Sequence, residues 1–328
     1  MKISVYITSY NQKDVLSEAI ESVLAQTLRP HQVIVVDDAS TDGSREIIRG
    51  YAARYPNWIT PVLHERNQGV AAARNSALAH VTGDYVAYLD GDDRYLPHKL
   101  AREAEALRTH PGAGIAFSDV YVINPQGQRI DRWTRSGRPP QGDIFPQTFA
   151  RAFPGRRLFR NELVDFRAWQ QCGAGFYDPH LRMYEDYDLR IRLTKHLPTV
   201  YVDEPLSEYR RHEGSLRSAH PETYLQTFEY LCRKNAPLLD DLPAEKRAWV
   251  QRRLDAWRAE LLRRMAWHAL LEEGPWWQNR RRALHFTRQA WRHEKRLPLP
   301  FLVRLFTPFK TWRALQKTVH TLRARNPL

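Results

Sequence analysis

Five short apolar runs, the first four each followed by a stretch with helical spacing, constrain this chain more than any other feature. They are ISVYIT (Ile3–Thr8), QVIVVDD (Gln32–Asp38), TPVLHE (60–65), YVAYLD (Tyr85–Asp90) and GIAFSD (114–119). QVIVVDD lacks the polar alternation of a half-exposed strand, so it must be covered on both faces, as in a parallel sheet. In the stretch after the first run, Val15, Leu16, Ala19, Ile20, Val23 and Leu24 fall on one helical face. STDGSREIIRGYAARY enters a helix through a Ser/Thr/Asp-rich cap, GVAAARNSALAHV is Ala-rich, and LPHKLAREAEALRTH carries Pro97 at a helix start. Strands alternating with helices predict an α/β sheet joined by right-handed crossovers.

Such sheets bind ligands beyond the carboxyl ends of their strands. The first run ends in TSYN, the second in Asp37 and Asp38, and the fourth in Asp90-Gly91-Asp92-Asp93. A turn accounts for any one of these, since Asp and Gly are ordinary turn residues. Three polar ends on one rim point further, to a hard divalent cation held by one or two carboxylates together with phosphate oxygens. A later segment, YDPHLRMYEDYDLRIRLTKH, sets Glu185 and Asp186 at a helix start ahead of Leu189 and Leu193. Carboxylates also cap helices, because free N–H groups and the dipole favour them there, so simple capping stands as the alternative. Residues 127–155, rich in Gly, Pro and Arg, read as a long loop or lid, or as a plain surface excursion. TVYVDEPLSEYRRHEGS reads as a last strand and a loop carrying Arg210, Arg211 and His212.

Composition sets the outer bounds. With 328 residues, 42% of them hydrophobic, the chain can build a real core in one domain or two. Cys172 and Cys232 have no CxxC spacing, which argues against a disulfide framework or a zinc site and suits a reducing, cytoplasmic setting. The N-terminus reads as a strand and not as a secretion signal, and no apolar run is long enough to span a bilayer. The net charge of +13 is concentrated: Gln251–Leu328 holds 18 Lys+Arg against 5 Asp+Glu, and six of the ten tryptophans. After Pro221 the pattern is helical, over 222–234, 244–271, 276–294 and 300–323. The last places Phe301, Leu302, Leu305, Phe306, Phe309 and Trp312 among Arg304, Lys310, Arg313 and Lys317. That suits an interfacial helix on an anionic membrane surface, kinked at Pro308. Packing on the catalytic body or on a second subunit is the other reading, which leaves an oligomer open. No nucleic acid is expected, since no recognition motif accompanies the basic tract. The first strand lacks a GxGxxG turn, which disfavours a dinucleotide enzyme.

Taken in order, ISVYITSYNQKDVLSEAIESVLAQTLRPHQVIVVDDASTDGS, NQGVAAARNSALAHVTGDYVAYLDGDD, YEDYDLRIRL and YRRHEGS resemble the family 2 glycosyltransferases over about residues 1–216. The resemblance implies a GT-A fold: a mixed, mainly parallel sheet flanked by helices; residues 217–328, a basic, Trp-rich helical region, follow outside it. It implies a nucleotide-diphospho-sugar donor, UDP-sugars being the commonest, and Mn²⁺ or Mg²⁺. Carried over, Thr8 and Tyr10 would line the base pocket, Asp38 would accept from the base, and Asp37 or Asp38 would touch the ribose. Arg74 would approach the donor. Asp90 would lie toward the ribose or metal-bound waters, Asp92 would ligate the metal with Asp93 in support, and His212 would close over the diphosphate or metal. Asp186 would be the base that deprotonates the acceptor hydroxyl, giving inversion, with Glu185 orienting the acceptor. The processive Gln-x-x-Arg-Trp motif is absent, since QRIDRW at Gln128 has the wrong spacing. That favours one added sugar, on a saccharide or lipid-linked acceptor of a surface polysaccharide or glycolipid, by an enzyme peripheral on the inner membrane face. The rival reading is a catalytically inactive GT-A-like scaffold that binds a membrane or a partner.

Overall fold

A computed structural model describes residues 1–211, 221–272 and 275–294. His212 and the helix expected over 300–323 lie outside the described residues. The chain divides into two compact units, residues 1–218 with 234–242, and residues 219–233 with 243–328.

The first unit is built on a nine-stranded mixed sheet. Strands β1 (Ile3–Ser9), β2 (Gln32–Asp37), β3 (Ile59–Leu63) and β4 (Tyr85–Asp90) are parallel, with β1 between β2 and β4. Helices α1 (Lys13–Leu24), α2 (Ser44–Arg54) and α3 (Val70–Leu78) connect them. β5 (Arg94–Tyr95), α4 (Lys99–Thr109) and β6 (Ile115–Ile123) follow, then β7 (Arg129–Arg132), α5 (Phe145–Phe149), β8 (Leu163–Asp165), α6 (Phe166–Gln171), α7 (Glu185–His196) and β9 (Thr199–Arg210). β8 lies antiparallel between β4 and β6, while β9 runs parallel to β6 and antiparallel to β5.

Side-chain alternation sends each strand to two cores. Val5, Ile7, Val33, Val35 and Leu89 meet Leu16, Ala19, Ile20 and Val23 of α1, Ile48 of α2 and Leu100 of α4. Tyr6, Ile34, Val36 and Tyr88 meet α3, Phe166 and Trp169 of α6, and Leu189 and Leu193 of α7. Val33, Ile34, Val35 and Val36 have no exposed surface, as a strand apolar on both faces requires. Each such side chain contributes about 1.5–3 kcal/mol by leaving water.

Residues 127–155 differ from the loop expected of them. They hold β7 and α5, and Trp133, Ile144, Phe145, Phe149 and Phe153 are buried. Trp133 donates its indole N–H to the Arg157 carbonyl at 3.0 Å. The Gly, Pro and Arg content suggested a loop, but the interleaved aromatics decide the fold by what they bury.

The second unit is helical: α8 (Pro221–Asn235) for most of its length, α9 (Ala244–Leu271) and α10 (Trp276–His293). α9 and α10 pack through small residues, Ala266 and Ala269 beside Ala283, and Ala259 beside Ala290. No described helix is long and apolar enough to cross a membrane.

Candidate active site

The acidic turn after β4 is built by its neighbours. Thr8 of β1 pairs in register with Asp90 of β4. The Gly91 N–H donates to the Thr8 carbonyl at 2.9 Å, and the Asp93 N–H donates back to the Asp90 carbonyl at 3.0 Å. Residue 91 is tightly enclosed: a Cβ there would lie 3.0 Å from the Thr8 carbonyl oxygen and 2.4 Å from Gln12 Oε1, so the Gln12 side chain would have to move. Asp93 turns inward, fully buried, and accepts from the Arg210 N–H at 2.8 Å and from Arg160 at 3.4 Å. Burial pushes its carboxyl well above the usual range, with Asp92 adding to the effect and Arg160 opposing it. Asp93 therefore anchors the turn, where the sequence had it supporting a cation. Arg210, at the end of β9, also donates to the Asp92 carbonyl at 2.9 Å and to Glu18 at 2.7 Å. What remains at the rim is Asp90, its side chain 32% exposed, and the half-buried Asp92.

Arg74 of α3 lies beneath this rim. It donates to Asp90 at 2.8 Å and to Glu185 at 2.7 Å, with the rings of Tyr88 and Tyr177 5.1 and 5.3 Å away. Arg74 thus ties the end of β4 to the start of α7. Glu185 is buried, and burial pushes its carboxyl up to about 7, against the pull of Arg74 and with a further push from Asp186.

Asp186 points the other way. Its side chain is 34% exposed and is held by Arg190, one helical turn on. Arg190 is itself buried and donates to Glu162 at 2.9 and 3.1 Å and to the Tyr88 hydroxyl. Burial acts to raise the Asp186 carboxyl, but the guanidinium groups of Arg190 and Arg74 outweigh it and hold the group below the usual carboxylate range. Asp186 also accepts from the Tyr187 N–H at 2.7 Å, a small share of the capping alternative. Asp188 secures the rest of α7, accepting from Lys234 at 2.9 Å and Asn235 at 2.8 Å.

The end of β2 splits its two carboxylates between the sheet's faces. Asp38 accepts from His64 Nδ1 and from the N–H groups of Gln68 and Gly69, all at 2.8 Å. Three of its roughly four acceptor positions are thus spent on the 64–69 loop. His64 Nε2 lies 2.9 Å from Ser76 Oγ. This Asp–His–Ser chain has the connectivity of a hydrolytic triad. Ser76, however, sits inside α3, where backbone N–H groups serve the helix and none is left to form an oxyanion hole. The chain acts as a rivet. Asp37 faces α2, accepts from the Ser40 N–H at 2.9 Å, and leaves Oδ2 buried without a partner. Thr8 is buried, while Tyr10 is 49% exposed beyond the end of β1.

The structure therefore gathers Thr8, Arg74, Asp90, Asp92, Glu185 and Asp186 around β1, β4 and α7, and turns Asp37 to the opposite face. Arg160, Glu162 and Arg190 escaped the sequence reading, and Arg210, expected on a loop, is the last residue of β9. Only Arg190 carried a local signal, its spacing of four from Asp186 on one helix. Asp90 and Asp92 offer hard oxygen donors at a partly exposed rim, with Asp93 withdrawn, and this donor set fits Mg²⁺ or Mn²⁺. Among the described residues no group of three or more His, Cys, Asp or Glu side chains could hold a metal unaided.

This sheet, with its flanking helices and helical extension, is that of a GT-A glycosyltransferase. The family model for glycosyl transferase family 2 matches residues 4–167, and the chain belongs to that family. A Bacillus subtilis protein named as a teichuronic acid biosynthesis glycosyltransferase, TuaG, is 31% identical over 218 residues, covering 66% of this chain and 81% of its own. Matches to several other curated relatives cover only 46 to 62% of their lengths. Among solved structures, S. aureus TarS 1–349 in complex with UDP-GlcNAc superposes with a TM-score of 0.64 at 19% identity, over 89% of this chain and 81% of that one. The mannosyltransferase PcManGT from Pyrobaculum calidifontis, in complex with GDP-Man and Mn²⁺, does so with a TM-score of 0.51 at 17% identity, over 96% and 84%.

Proposed function

We propose that the protein transfers one sugar, with inversion, from a nucleotide-diphospho-sugar to a hydroxyl acceptor in surface polysaccharide or glycolipid assembly. The observation that carries this reading is the division of labour in the Glu185–Asp186 pair: one carboxylate is tied inward to Arg74, and the other is partly exposed and aimed by Arg190. A direct displacement at the anomeric carbon needs such a base within reach of the acceptor hydroxyl. The guanidinium groups of Arg190 and Arg74 keep Asp186 as a carboxylate, the form that can accept a hydrogen bond from the hydroxyl as it attacks.

Thr8 and Tyr10 are the residues for the base end of the donor, and Asp38 keeps one acceptor position for it. Asp90 and Asp92 would hold Mn²⁺ or Mg²⁺, which when bound supplies Lewis-acid stabilisation to the departing diphosphate. Arg74 keeps Asp90 and Glu185 in fixed relation, so the donor side and the acceptor side of the site stay in register. The nucleotide sugars in the TarS and PcManGT complexes support a donor of this class. The name of TuaG supports a cell-surface polymer as the destination. Residues 1–216 are the catalytic domain in this reading, and the enzyme works at the inner membrane face.

A thermal-shift panel tests it, with UDP, GDP, dTDP and CDP, each in Mn²⁺, Mg²⁺ or chelator. A ligand that binds only the folded state raises apparent stability by mass action. One nucleotide is expected to raise Tm only with metal, and Asp92→Ala to erase that shift while the unliganded Tm stays put. No shift with any nucleotide would remove the donor site from the proposal.

A further inference from the structure

α10 carries a second surface with chemistry of its own. Its inner face is small and closed against α9: Asn279, Ala283, Thr287 and Ala290 are buried. Its outer face carries Trp277, 57% exposed, and Trp291, 45% exposed, two of the few large hydrophobic side chains this open among the described residues. Arg281, Arg288 and Arg292 are exposed between and beside them. At 100° per residue all five lie within an arc of about 100°, and the two tryptophans stand about 21 Å apart along the axis.

Among the described residues, no carboxylate pairs with the charge on this face. α10 contains no acidic residue. Among the described residues, Glu272 is engaged with Arg282, Glu294 with Arg263, and Asp255 with Arg258 and His293. Arg281, Arg288 and Arg292 form no ion pair among the described residues. A straight row of unpaired guanidinium groups flanked by two exposed indoles matches a flat, negatively charged, partly apolar boundary. Indole is apolar in body and polar at one edge and settles at bilayer interfaces, while guanidinium pairs with phosphate oxygens in two-pronged fashion.

The geometry points to the outer face of α10 as a docking surface for an anionic lipid bilayer, with Trp277 and Trp291 entering the headgroup layer and Arg281, Arg288 and Arg292 meeting lipid phosphates. This adds a partner to the glycan-assembly reading and draws on it only for why a membrane should matter. The face is distinct from residues 300–323, on which the sequence had placed membrane contact.

Co-sedimentation of the full chain with vesicles tests it, without nucleotide or sugar, so that failure here leaves the donor assay untouched. Phosphatidylcholine vesicles are compared with vesicles containing phosphatidylglycerol. The protein is expected on the anionic vesicles, with binding that weakens as salt rises. At the usual contribution per basic residue, Arg281→Glu/Arg288→Glu/Arg292→Glu lowers partitioning roughly a hundredfold. Trp277→Ala/Trp291→Ala lowers it by roughly tenfold. All five side chains are exposed, and unchanged melting of both variants certifies the fold. Wild-type binding by both variants would overturn the proposal in favour of another basic segment. Equal capture by neutral vesicles would also overturn it, as would retention by heparin with none on vesicles.

Discussion

The two faces of the sheet bury charge in different ways. On the face covered by α1, α2 and α4, α4 sinks a closed pair into the core: Lys99 and Glu103, one turn apart, 2.7 Å from each other and fully buried. Ser118 donates to Glu103 at 2.9 Å, and the Tyr95 ring lies 4.5 Å from the ammonium. On the face covered by α3, α6 and α7, buried Arg74 and Arg190 are each shared between carboxylates, and each link ends at a partly exposed one, Asp90 or Asp186. A closed pair fills space. An open chain carries the rigidity of the core to groups that meet solvent, and only the second arrangement can aim a reacting side chain.

That contrast can be broken by exchange. Lys99→Met alone and Arg190→Met alone each strand buried carboxylates, and losses of about 3–5 kcal/mol are expected in urea unfolding. Lys99→Met/Glu103→Leu should return to within about 1 kcal/mol of the parent, since apolar replacement of a buried pair is often neutral. Its sugar transfer should be unchanged. Arg190→Met/Glu162→Leu should also fold, but with transfer lowered about a hundredfold through kcat, because Asp186 loses its aim. Equal transfer by the two double variants would erase the distinction.

pH sharpens it. Burial pushes Glu103 and Glu185 each up to about 7, from an ordinary 4.5. A carboxyl raised on folding stabilises the protein below about 4.5, and that contribution is lost as pH rises through about 7. The fall in unfolding free energy over this window should shrink in Lys99→Met/Glu103→Leu. Glu185 should appear in the rate as well. As pH drops through about 7 it gains a proton, its hold on Arg74 weakens, and transfer should decline. Glu185→Gln should flatten that limb, while the Lys99/Glu103 double variant keeps it. The smallest effect belongs to the rivet: Ser76→Ala should cost about 1 kcal/mol and leave transfer intact, as loss of one hydrogen bond does. A loss of transfer matching that of Asp92→Ala would make Ser76 something more.

Much of this was legible because the signals were local. β2 announced itself by unbroken Val and Ile, and α9 runs over the residues its pattern marks, Ala244–Leu271. β5 and β8 were not legible, being two and three residues long, too short for any period to register. At the site, Asp90, Asp92 and the Glu185–Asp186 pair stood out as carboxylates at element ends. Their directions did not. Nothing local separates an outward Asp92 from an inward Asp93, because the Arg210 N–H that captures Asp93 lies 117 residues away. Glu162 reaches Arg190 across 28 residues. Such long-range partners choose which member of an acidic cluster is spent on structure.

The lock on the acidic turn has a bearing on how the chain is made. β1 and β4, which shape the turn, leave the ribosome early, but Arg210 follows Asp93 by those 117 positions. At usual elongation speeds the interval is roughly ten seconds. For that time the residue that clasps the acidic turn is still to be made. A fragment ending before β9 would lack Arg210, which reaches Asp92, Asp93 and Glu18. Synthesis thus delivers the scaffold first and its working edge last.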